Sequence, residues 1–217
     1  MTDVVLNRKL IVRQMKKNVH VQTSRMTDVV LNRKPIVRQM KNVHVQIRRS
    51  VVKTILVAHD QNLVISFAGE IPWSLPEDLK RFKNLTWDQV VLMGRVTWES
   101  LPIRPLPHRQ NIIISRSTKH NLAPNNNTCI FHSLEFAIQY AEDMFPDKEI
   151  FIIGGGQIYK TALDEGLVDR IIVSKVHGKY KGDTFFPKLG DEWKSKLIEV
   201  CEGFDVIEFI KSKLYED

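Results

Sequence analysis

A single carboxylate, Asp78, lies among apolar residues in a segment predicted to be helical. Asp78, Phe82 and Leu85 follow one another at intervals of four and three residues, so they share one face of the helix. Burial on such a face raises the pKa of a carboxyl unless a cationic or hydrogen-bonding partner compensates. A heterocycle with an amidine-like pair of N–H groups would be such a partner. The alternative is that Asp78 only interacts favourably with the positive end of its helix.

Three consecutive glycines, Gly154, Gly155 and Gly156, stand between an apolar strand and a helix. Backbone N–H groups can approach a phosphate closely at such a turn, although a plain tight turn is the alternative. Arg95 and Arg116 each follow a predicted strand, at the strand end where open α/β sheets bind ligands. Two arginines at one sheet edge favour a phosphomonoester, and solvated surface charges are the alternative.

Arg109 follows a proline-rich segment, 105–108, and precedes a predicted strand. A loop stiffened by proline can hold a guanidinium group in the fixed geometry that a bidentate carboxylate contact requires. The alternative is again a solvated surface charge.

Strands and helices that would position these groups alternate along residues 51–217. Apolar and β-branched runs predict strands at 51–59, 89–93, 110–115, 129–132, 149–153 and 170–176. Helices are predicted at 75–84, 95–101, 134–144 and 157–165, the first with Ser74 as N-cap in a capping box with Glu77. Residues 196–202 and 206–215, joined by 203–205, predict a terminal hairpin. The fold class is therefore α/β, a mostly parallel central sheet with an antiparallel C-terminal edge hairpin and helices on both faces.

Composition excludes several classes of protein. The chain of 217 residues is 43% hydrophobic and 26% charged, which argues against a collagen-like or wholly disordered protein. It contains no continuous apolar run of about 18 residues, so we expect a soluble protein without a membrane contact. The cysteines Cys129 and Cys201 form no metal-ligand motif, so we expect no metal site and a reducing, cytoplasmic location. The length of the folded part suggests a monomer.

Residues 1–50 differ from the rest of the chain. They hold 12 Lys or Arg against Asp3 and Asp28, a net charge of +10, whereas the remaining residues sum to −3. Residues 1–16 and 26–41 differ only at Leu10 and Pro35, so this extension is a tandem duplication. We therefore predict a basic, poorly ordered extension at 1–50 and one domain at 51–217. Alternative roles of the extension are contact with nucleic acid, contact with a membrane surface, or targeting as a transit peptide. Translation could start at Met1 or at Met26.

Four ordered motifs in residues 52–217 resemble the dihydrofolate reductase family. They are Ile71-Pro72-Trp73 followed by Pro76, Asp78 and Phe82; residues 93–100 together with 104–107; residues 153–159; and residues 182–187. The resemblance implies NADPH-dependent reduction of 7,8-dihydrofolate to 5,6,7,8-tetrahydrofolate. This oxidoreductase reaction supplies one-carbon metabolism and thymidylate synthesis.

The resemblance also implies roles for particular residues. Asp78, Trp73 and Thr184 would be catalytic, with Asp78 holding the pterin and promoting protonation at N5, and Thr184 bonded behind it. The substrate pocket would be lined by Leu56, Val57, Ala58, Leu79, Phe82, Leu101 and Leu106, with Arg109 on the glutamate α-carboxylate. Ile71 and Trp73 would belong to a mobile loop.

Cofactor contacts are implied in the same way. The glycines 154–156 and Thr97 would hold the pyrophosphate, Ile153 and Tyr159 would flank the nicotinamide, and Arg95, Ser115 and Arg116 would bind the 2′-phosphate, which favours NADPH over NADH. Further contacts would come from Ala58, Ile65, Ile71, Gly94, Val96, Gln157 and Ile158.

The sequence departs from the family pattern at two places. Ser66 and Phe67 stand where a glycine usually follows the first loop isoleucine, and His108 replaces the glycine before Arg109. Two other readings are a reductase of riboflavin biosynthesis, which would not pair Pro72-Trp73 with Asp78 and Arg109, and a folate-binding component whose basic arm docks on nucleic acid.

Overall fold

The structure is a computed structural model that describes residues 51–116 and 127–211. The predicted extension at 1–50, with its repeats, and the end of the predicted last strand lie outside the described residues.

The described ranges form ten strands and four helices. The strands are β1 Lys53–His59, β2 Val64–Ser66, β3 Val90–Gly94, β4 Gln110–Ile114, β5 Thr128–Phe131, β6 Ile150–Ile152, β7 Arg170–Val176, β8 Thr184–Phe185, β9 Trp193–Cys201 and β10 Phe204–Lys211. The helices are α1 Pro76–Thr86, α2 Arg95–Ser100, α3 Leu134–Met144 and α4 Gly156–Asp164.

Eight strands form one sheet in the order β5-β4-β3-β6-β1-β7-β10-β9. The pairings from β5 to β7 are all parallel. β10 pairs antiparallel with both β7 and β9, so the C-terminal hairpin forms one edge. The predicted fold class is confirmed.

The helices cover both faces of this sheet. Leu134 and Ala137 of α3 and Ala162 of α4 pack into one apolar cluster with Ile55 and Val57. Trp98 of α2 and Phe82 and Leu85 of α1 pack into a second cluster, on the opposite face, with Leu56 and Ile172. Neighbouring residues of a strand point to opposite faces, which is why Leu56 and Val57 separate. No helix in the described ranges is long and apolar enough to cross a membrane.

The predicted capping box at the start of α1 is wrong. The N-cap is Leu75, no side chain caps the helix, and Pro76 is its first residue. Pro76 lacks an N–H and its φ suits the first turn, so the helix can begin there without Ser74. The prediction that Asp78 lies in the first turn is confirmed.

Two strand predictions also differ from the structure. The small sheet formed by β2 and β8 was not predicted, because strands of three and two residues carry little periodicity. The terminal hairpin turns at Glu202 and Gly203 rather than across 203–205, since Phe204 is buried and pairs within β10. Gly203 has a φ of +86°, which favours glycine.

Candidate active site

Asp78 is half-buried on α1, beside the second apolar cluster. Phe82 and Leu85 pack against that cluster, and Asp78 is bonded to Ser174, which is two residues along β7 from Ile172 of the same cluster. The three residues therefore share the face of α1 that is turned towards the sheet, as predicted. Desolvation raises the pKa of the Asp78 carboxyl, while a hydrogen bond from Ser174 and the charge of Arg81 lower it in part. This hydrogen bond ends on Oδ1, and no donor from a described residue is bonded to Oδ2. The carboxylate can therefore accept further N–H donors from a ligand.

Ser174, and not Thr184, supports Asp78. The Ser174 hydroxyl on β7 donates to Asp78 Oδ1 over 2.5 Å, and Ser174 is only 2% exposed. The Thr184 hydroxyl instead donates to Asp183 Oδ1 over 2.9 Å, so the predicted bond from Thr184 to Asp78 is wrong. The sequence signal for Ser174 was a lone hydroxyl inside a buried apolar strand, since such a group needs a partner.

Apolar side chains form a wall near Asp78. Leu56, Phe82, Leu101 and Leu106 all pack in the second cluster, as four of the predicted pocket residues. Val57 belongs to the opposite cluster, so it can offer only main-chain atoms to this wall. Two further predicted residues are Ala58, half-buried on β1, and Leu79, 62% exposed on α1.

Arg109 is buried at the far end of this wall, with 5% of its surface exposed. Its Nε donates to Thr86 Oγ1 over 2.8 Å, Nη1 to the Pro107 carbonyl over 2.7 Å, and Nη2 to the Lys83 carbonyl over 3.1 Å. A guanidinium has five N–H groups, so one remains on each terminal nitrogen. No carboxylate of a described residue pairs with it, and burial lowers its pKa. This geometry fits a bidentate carboxylate ligand.

Asn111 on β4 holds the loop that carries Arg109, and sequence reasoning missed it. It is 1% exposed, its Oδ1 accepts from the Leu106 N–H, and its Nδ2 donates to the Leu106 and Arg109 carbonyls. Asparagine is depleted in strands, and one inside a predicted strand was the available signal. His108 has a φ of +55°, uncommon for a non-glycine residue, and its ring stacks on Trp87 at 4.2 Å.

The three glycines form a close-packed turn between β6 and α4. A Cβ on Gly155 would lie 3.3 Å from Thr97 Oγ1, and one on Gly156 would lie 3.0 Å from Thr184 Cγ2. Gly94 donates its N–H to the Gly154 carbonyl over 2.7 Å. The structure thus brings the ends of β3 and β6 together, and a side chain on Gly155 would fill the space beside Thr97. Such a turn at a helix N-terminus fits a diphosphate.

The other predicted residues of this region are near the same turn. Ile158 packs against Gly94, and Ile65 lies near Gly156. Tyr159 is buried and donates its hydroxyl to the Leu56 carbonyl over 2.9 Å, and burial raises its pKa. The remaining predicted contacts are Ile153, half-buried beside the second cluster, Val96, 62% exposed, and Gln157, exposed at the start of α4.

Basic residues follow the neighbouring strands β3 and β4. Arg95 forms an ion pair with Glu99 at 2.6 Å, and Arg116 is exposed directly after buried Ser115. His132, at the end of β5, is bonded through Nδ1 to the Ser115 carbonyl at 2.6 Å. The parallel pairing of β3, β4 and β5 places these strand ends along one edge of the sheet. Such an edge suits a phosphate group.

The loop at 66–73, which carries Ile71 and Trp73, is tied to a second segment. Asp183 Oδ2 accepts from the Ala68 N–H over 2.8 Å, and this bond is the main cause of the lowered pKa of Asp183. The ring of Phe67 lies 4.5 Å from Lys181 Nζ, and Trp73 makes an edge contact with Tyr180. Ile71 is 60% exposed. The departure at Phe67 therefore adds a cation–π contact between the two segments.

Buried Asp60 joins the same segments at their base. Its Oδ1 accepts from the Asn62 and Val64 N–H groups, and its Oδ2 accepts from the Tyr180 N–H, all within 2.9 Å.

Within residues 51–116 and 127–211, no cluster of three metal-ligating side chains is found.

The comparisons with known proteins agree with this geometry. The sequence profile of the family described as "Dihydrofolate reductase" matches residues 52–202. Dihydrofolate reductase of Staphylococcus aureus (strain Mu50 / ATCC 700699) is 37% identical over 134 residues, 62% of this chain and 77% of that protein. The bifunctional dihydrofolate reductase-thymidylate synthase of Daucus carota is 36% identical over 149 residues, 63% of this chain and 28% of that protein. Since the matched span contains Asp78, Arg109 and the glycine turn, the chain belongs to the dihydrofolate reductase family.

Proposed function

We propose that the chain reduces 7,8-dihydrofolate to 5,6,7,8-tetrahydrofolate with NADPH, in the site built around Asp78. Membership of the family makes the chain an oxidoreductase. The observation that carries the proposal is the half-buried Asp78 carboxylate, whose Oδ2 has no donor among the described residues. A pterin offers the 2-amino and ring N–H pair that such a carboxylate binds.

The substrate would lie between Asp78 and Arg109. Leu56, Phe82 and Leu106 supply apolar surface for its rings. The two remaining N–H groups of Arg109 would hold the α-carboxylate of the glutamate. The Arg109 guanidinium is 5% exposed and has no carboxylate partner within residues 51–116 and 127–211, which supports this assignment because a buried charge is stabilised by an opposite charge.

Asp78 would act through its charge. An ionised carboxylate beside the pterin favours the protonated ring, so it promotes the arrival of a proton at N5. Ser174 would be a positioning residue, because its hydroxyl fixes Oδ1 and leaves Oδ2 for the ligand. Trp73 and Ile71 would exclude water when their loop lies over the reacting rings.

The glycine turn fits the cofactor. Gly154–156 and Thr97 would hold the diphosphate, and Ile153 and Tyr159 would flank the nicotinamide ring. When bound, NADPH supplies the hydride for pterin C6. Arg95, Ser115 and Arg116 would bind the 2′-phosphate, and this basic edge is the reason to propose NADPH rather than NADH.

We further propose that residues 51–217 form the reductase domain and that the first repeat is dispensable for the reaction. The proposal rests on the family match, which begins at residue 52. A monomer and a cytoplasmic location stay predictions.

The test follows the loss of NADPH absorbance when dihydrofolate is added. Four proteins are compared: the full chain, a form that starts at Met26, Asp78→Asn, and Glu77→Gln. Glu77 is the matched control, because it is an exposed carboxylate in the same first turn.

We expect turnover by the full chain, by the form that starts at Met26 and by Glu77→Gln. In Asp78→Asn we expect kcat to fall by about 10²- to 10⁴-fold. Binding of folate and NADPH without turnover in every form would overturn the enzyme assignment and favour a folate-binding component.

A further inference from the structure

We propose that Arg81 and Glu199 form a positioning pair for the Asp78 carboxylate. Arg81 supplies a positive charge beside the carboxylate, and Glu199 binds the guanidinium so that it does not occupy Oδ2, the atom that the ligand needs. The inference rests on the proposed function and adds two residues that would act on the reaction through Asp78.

Arg81 follows Asp78 on α1 by three residues. Side chains at this spacing have Cβ atoms about 5 to 6 Å apart, so an arginine can reach the carboxylate of its neighbour. Burial raises the pKa of Asp78, whereas the hydrogen bond from Ser174 and the charge of Arg81 lower it. Arg81 therefore favours the ionised form of the proposed catalytic group.

The Arg81 guanidinium is bonded to Glu199 and not to Asp78. Its Nη2 donates to Glu199 Oε2, which forms an ion pair between α1 and the edge strand β9. The side chain of Arg81 is 21% exposed and that of Glu199 is 56% exposed. Within the described ranges the bonded partner of Asp78 is the Ser174 hydroxyl, so Arg81 acts on the carboxylate through its charge and leaves Oδ2 open.

The ion pair lies on the face of the sheet that α1 covers. Glu199 pairs with Val206 of β10, and Cys201 pairs with Phe204, and both β10 residues belong to the second apolar cluster. Cross-strand partners share a face of the sheet, so Glu199 lies on the same face as α1. The packing of α1 against the sheet thus brings Glu199 to Arg81.

Glu77 and Cys201 are further ionisable groups close to this pair. Burial raises the pKa of the Cys201 thiol, the charges of Glu199 and Glu77 raise it as well, and Arg81 lowers it. The thiol is therefore neutral at pH 7 and does not compete with Glu199 for the guanidinium.

The strands beneath α1 add little charge near Asp78. β7 presents the Ser174 hydroxyl, and β1 and β10 present the apolar side chains Leu56, Phe204 and Val206. Farther along this face, Glu208 pairs with Arg170 at 3.6 Å. Among the described residues, Arg81 is the charged group that acts on Asp78.

Loss of the two partners should have opposite effects. Without Arg81, the carboxylate loses a stabilising charge. Without Glu199, the guanidinium is released and can bond Asp78 directly, where it competes with the N–H donors of the ligand. An ion pair that only stabilised the fold would give effects of the same direction.

The first measurement is the titration of Asp78 in the ligand-free full chain. It uses ¹³C NMR of labelled aspartate carboxyl groups, with the Asp78 signal assigned by its loss in Asp78→Asn. Arg81→Gln should raise the pKa of Asp78, and Glu199→Gln should lower it. Arg81→Lys keeps the charge and should titrate close to the unmodified chain. The double variant should titrate like Arg81→Gln, because Glu199 acts through Arg81.

The second measurement is the KM for dihydrofolate at neutral pH. Glu199→Gln should raise it by about threefold, which is the size of effect typical of a partly exposed ion pair. Arg81→Gln should leave it close to that of the unmodified chain. Adding Arg81→Gln to Glu199→Gln should restore the original KM, because the competing guanidinium is then gone.

Lys80→Gln and Glu202→Gln are the matched controls. Lys80 is exposed beside Arg81 on α1, and Glu202 is exposed directly after β9. Each control removes the same charge as one member of the pair, so both should leave the titration of Asp78 and the KM unchanged.

The outcomes separate the pair from the proposed function. Titration shifts of the same direction in Arg81→Gln and Glu199→Gln would overturn the pair, and so would a Glu199→Gln shift that persists in the double variant. These titrations need no turnover. Absence of turnover in the unmodified chain would overturn the proposed function, and with it the role of the pair in the reaction.

Discussion

The Ser174 hydroxyl on β7 donates a hydrogen bond to Asp78 on α1, although the two residues are 96 positions apart in the chain. This bond lowers the pKa of Asp78 against the larger rise that burial causes. A residue of the central sheet thus favours the ionised form of the proposed catalytic carboxylate, against the effect of burial.

Ser174→Ala should move the acid side of the pH profile. Without the hydroxyl, the pKa of Asp78 rises further. As the pH is lowered, activity that needs the ionised carboxylate is therefore lost at a higher pH in the variant than in the unmodified chain. We also expect kcat/KM for dihydrofolate to fall by about fivefold. The measurement is kcat/KM across pH.

Thr184→Val and Ser174→Thr are the controls for this shift. Thr184 donates to Asp183, so its loss should leave the acid limb unmoved. Ser174→Thr keeps a hydroxyl and should restore the original profile. A larger shift in Thr184→Val than in Ser174→Ala would contradict the assignment.

Asp78→Asn should increase the stability of the ligand-free protein at neutral pH. Burial raises the pKa of Asp78 in the folded chain, so the ionised form destabilises the fold above that pKa. As the pH falls below the folded pKa, the carboxyl gains a proton and the penalty shrinks, and it is gone once the pH is below the ordinary pKa of an aspartate. Thermal melts followed by circular dichroism should show a higher Tm for the variant, with a gap that closes at low pH. A gap that widens at low pH would refute this reasoning.

Arg109→Gln should raise the KM for dihydrofolate by about 100-fold, because two charge-assisted hydrogen bonds are lost. A dihydropterin without the glutamate tail should show an unchanged KM. Arg104→Gln is the matched control on the same loop, since Arg104 donates to the Trp98 and Glu99 carbonyls. Equal losses with both substrates would show that Arg109 acts on the fold instead.

Arg95→Gln and Arg116→Gln should reduce the preference for NADPH over NADH, each by about tenfold. The reason is that only NADPH carries the 2′-phosphate, so kcat/KM with NADH should not change. Glu99→Gln should act in the opposite direction, because Glu99 competes for Arg95 at 2.6 Å. Steady-state kinetics with both cofactors decide the point, and a parallel loss with NADH would contradict it.

The sequence predicts the fold class well because strands buried on both faces give continuous apolar runs. The strands at 89–93 and 170–176 were therefore found close to their observed bounds. The short β2 and β8 were missed because their pairing depends on contacts such as Phe186 N–H to the Leu63 carbonyl, over 2.7 Å. Local patterns do not contain such long-range contacts.

In the candidate site, too, local patterns predicted some features, whereas those that depend on long-range contacts were missed. The i, i+4 spacing placed Asp78 and Phe82 on one face, and strand ends placed Arg95 and Arg116 at one edge. The partner of Asp78 was predicted wrongly, because it depends on how α1 packs across the sheet onto Ser174. The hydrogen bonds from Asn111 on β4 to the loop that carries Arg109 could not be predicted from residue spacing either.

Asn111 has a consequence for variation in this enzyme. Its amide fixes the main chain at Leu106 and Arg109 from a position that is 1% exposed, inside β4. A substitution there would alter the aim of the guanidinium without touching either ligand. Natural or selected changes in substrate affinity can therefore arise from the interior of the sheet, and distance from the bound molecule is a poor guide to which positions control it.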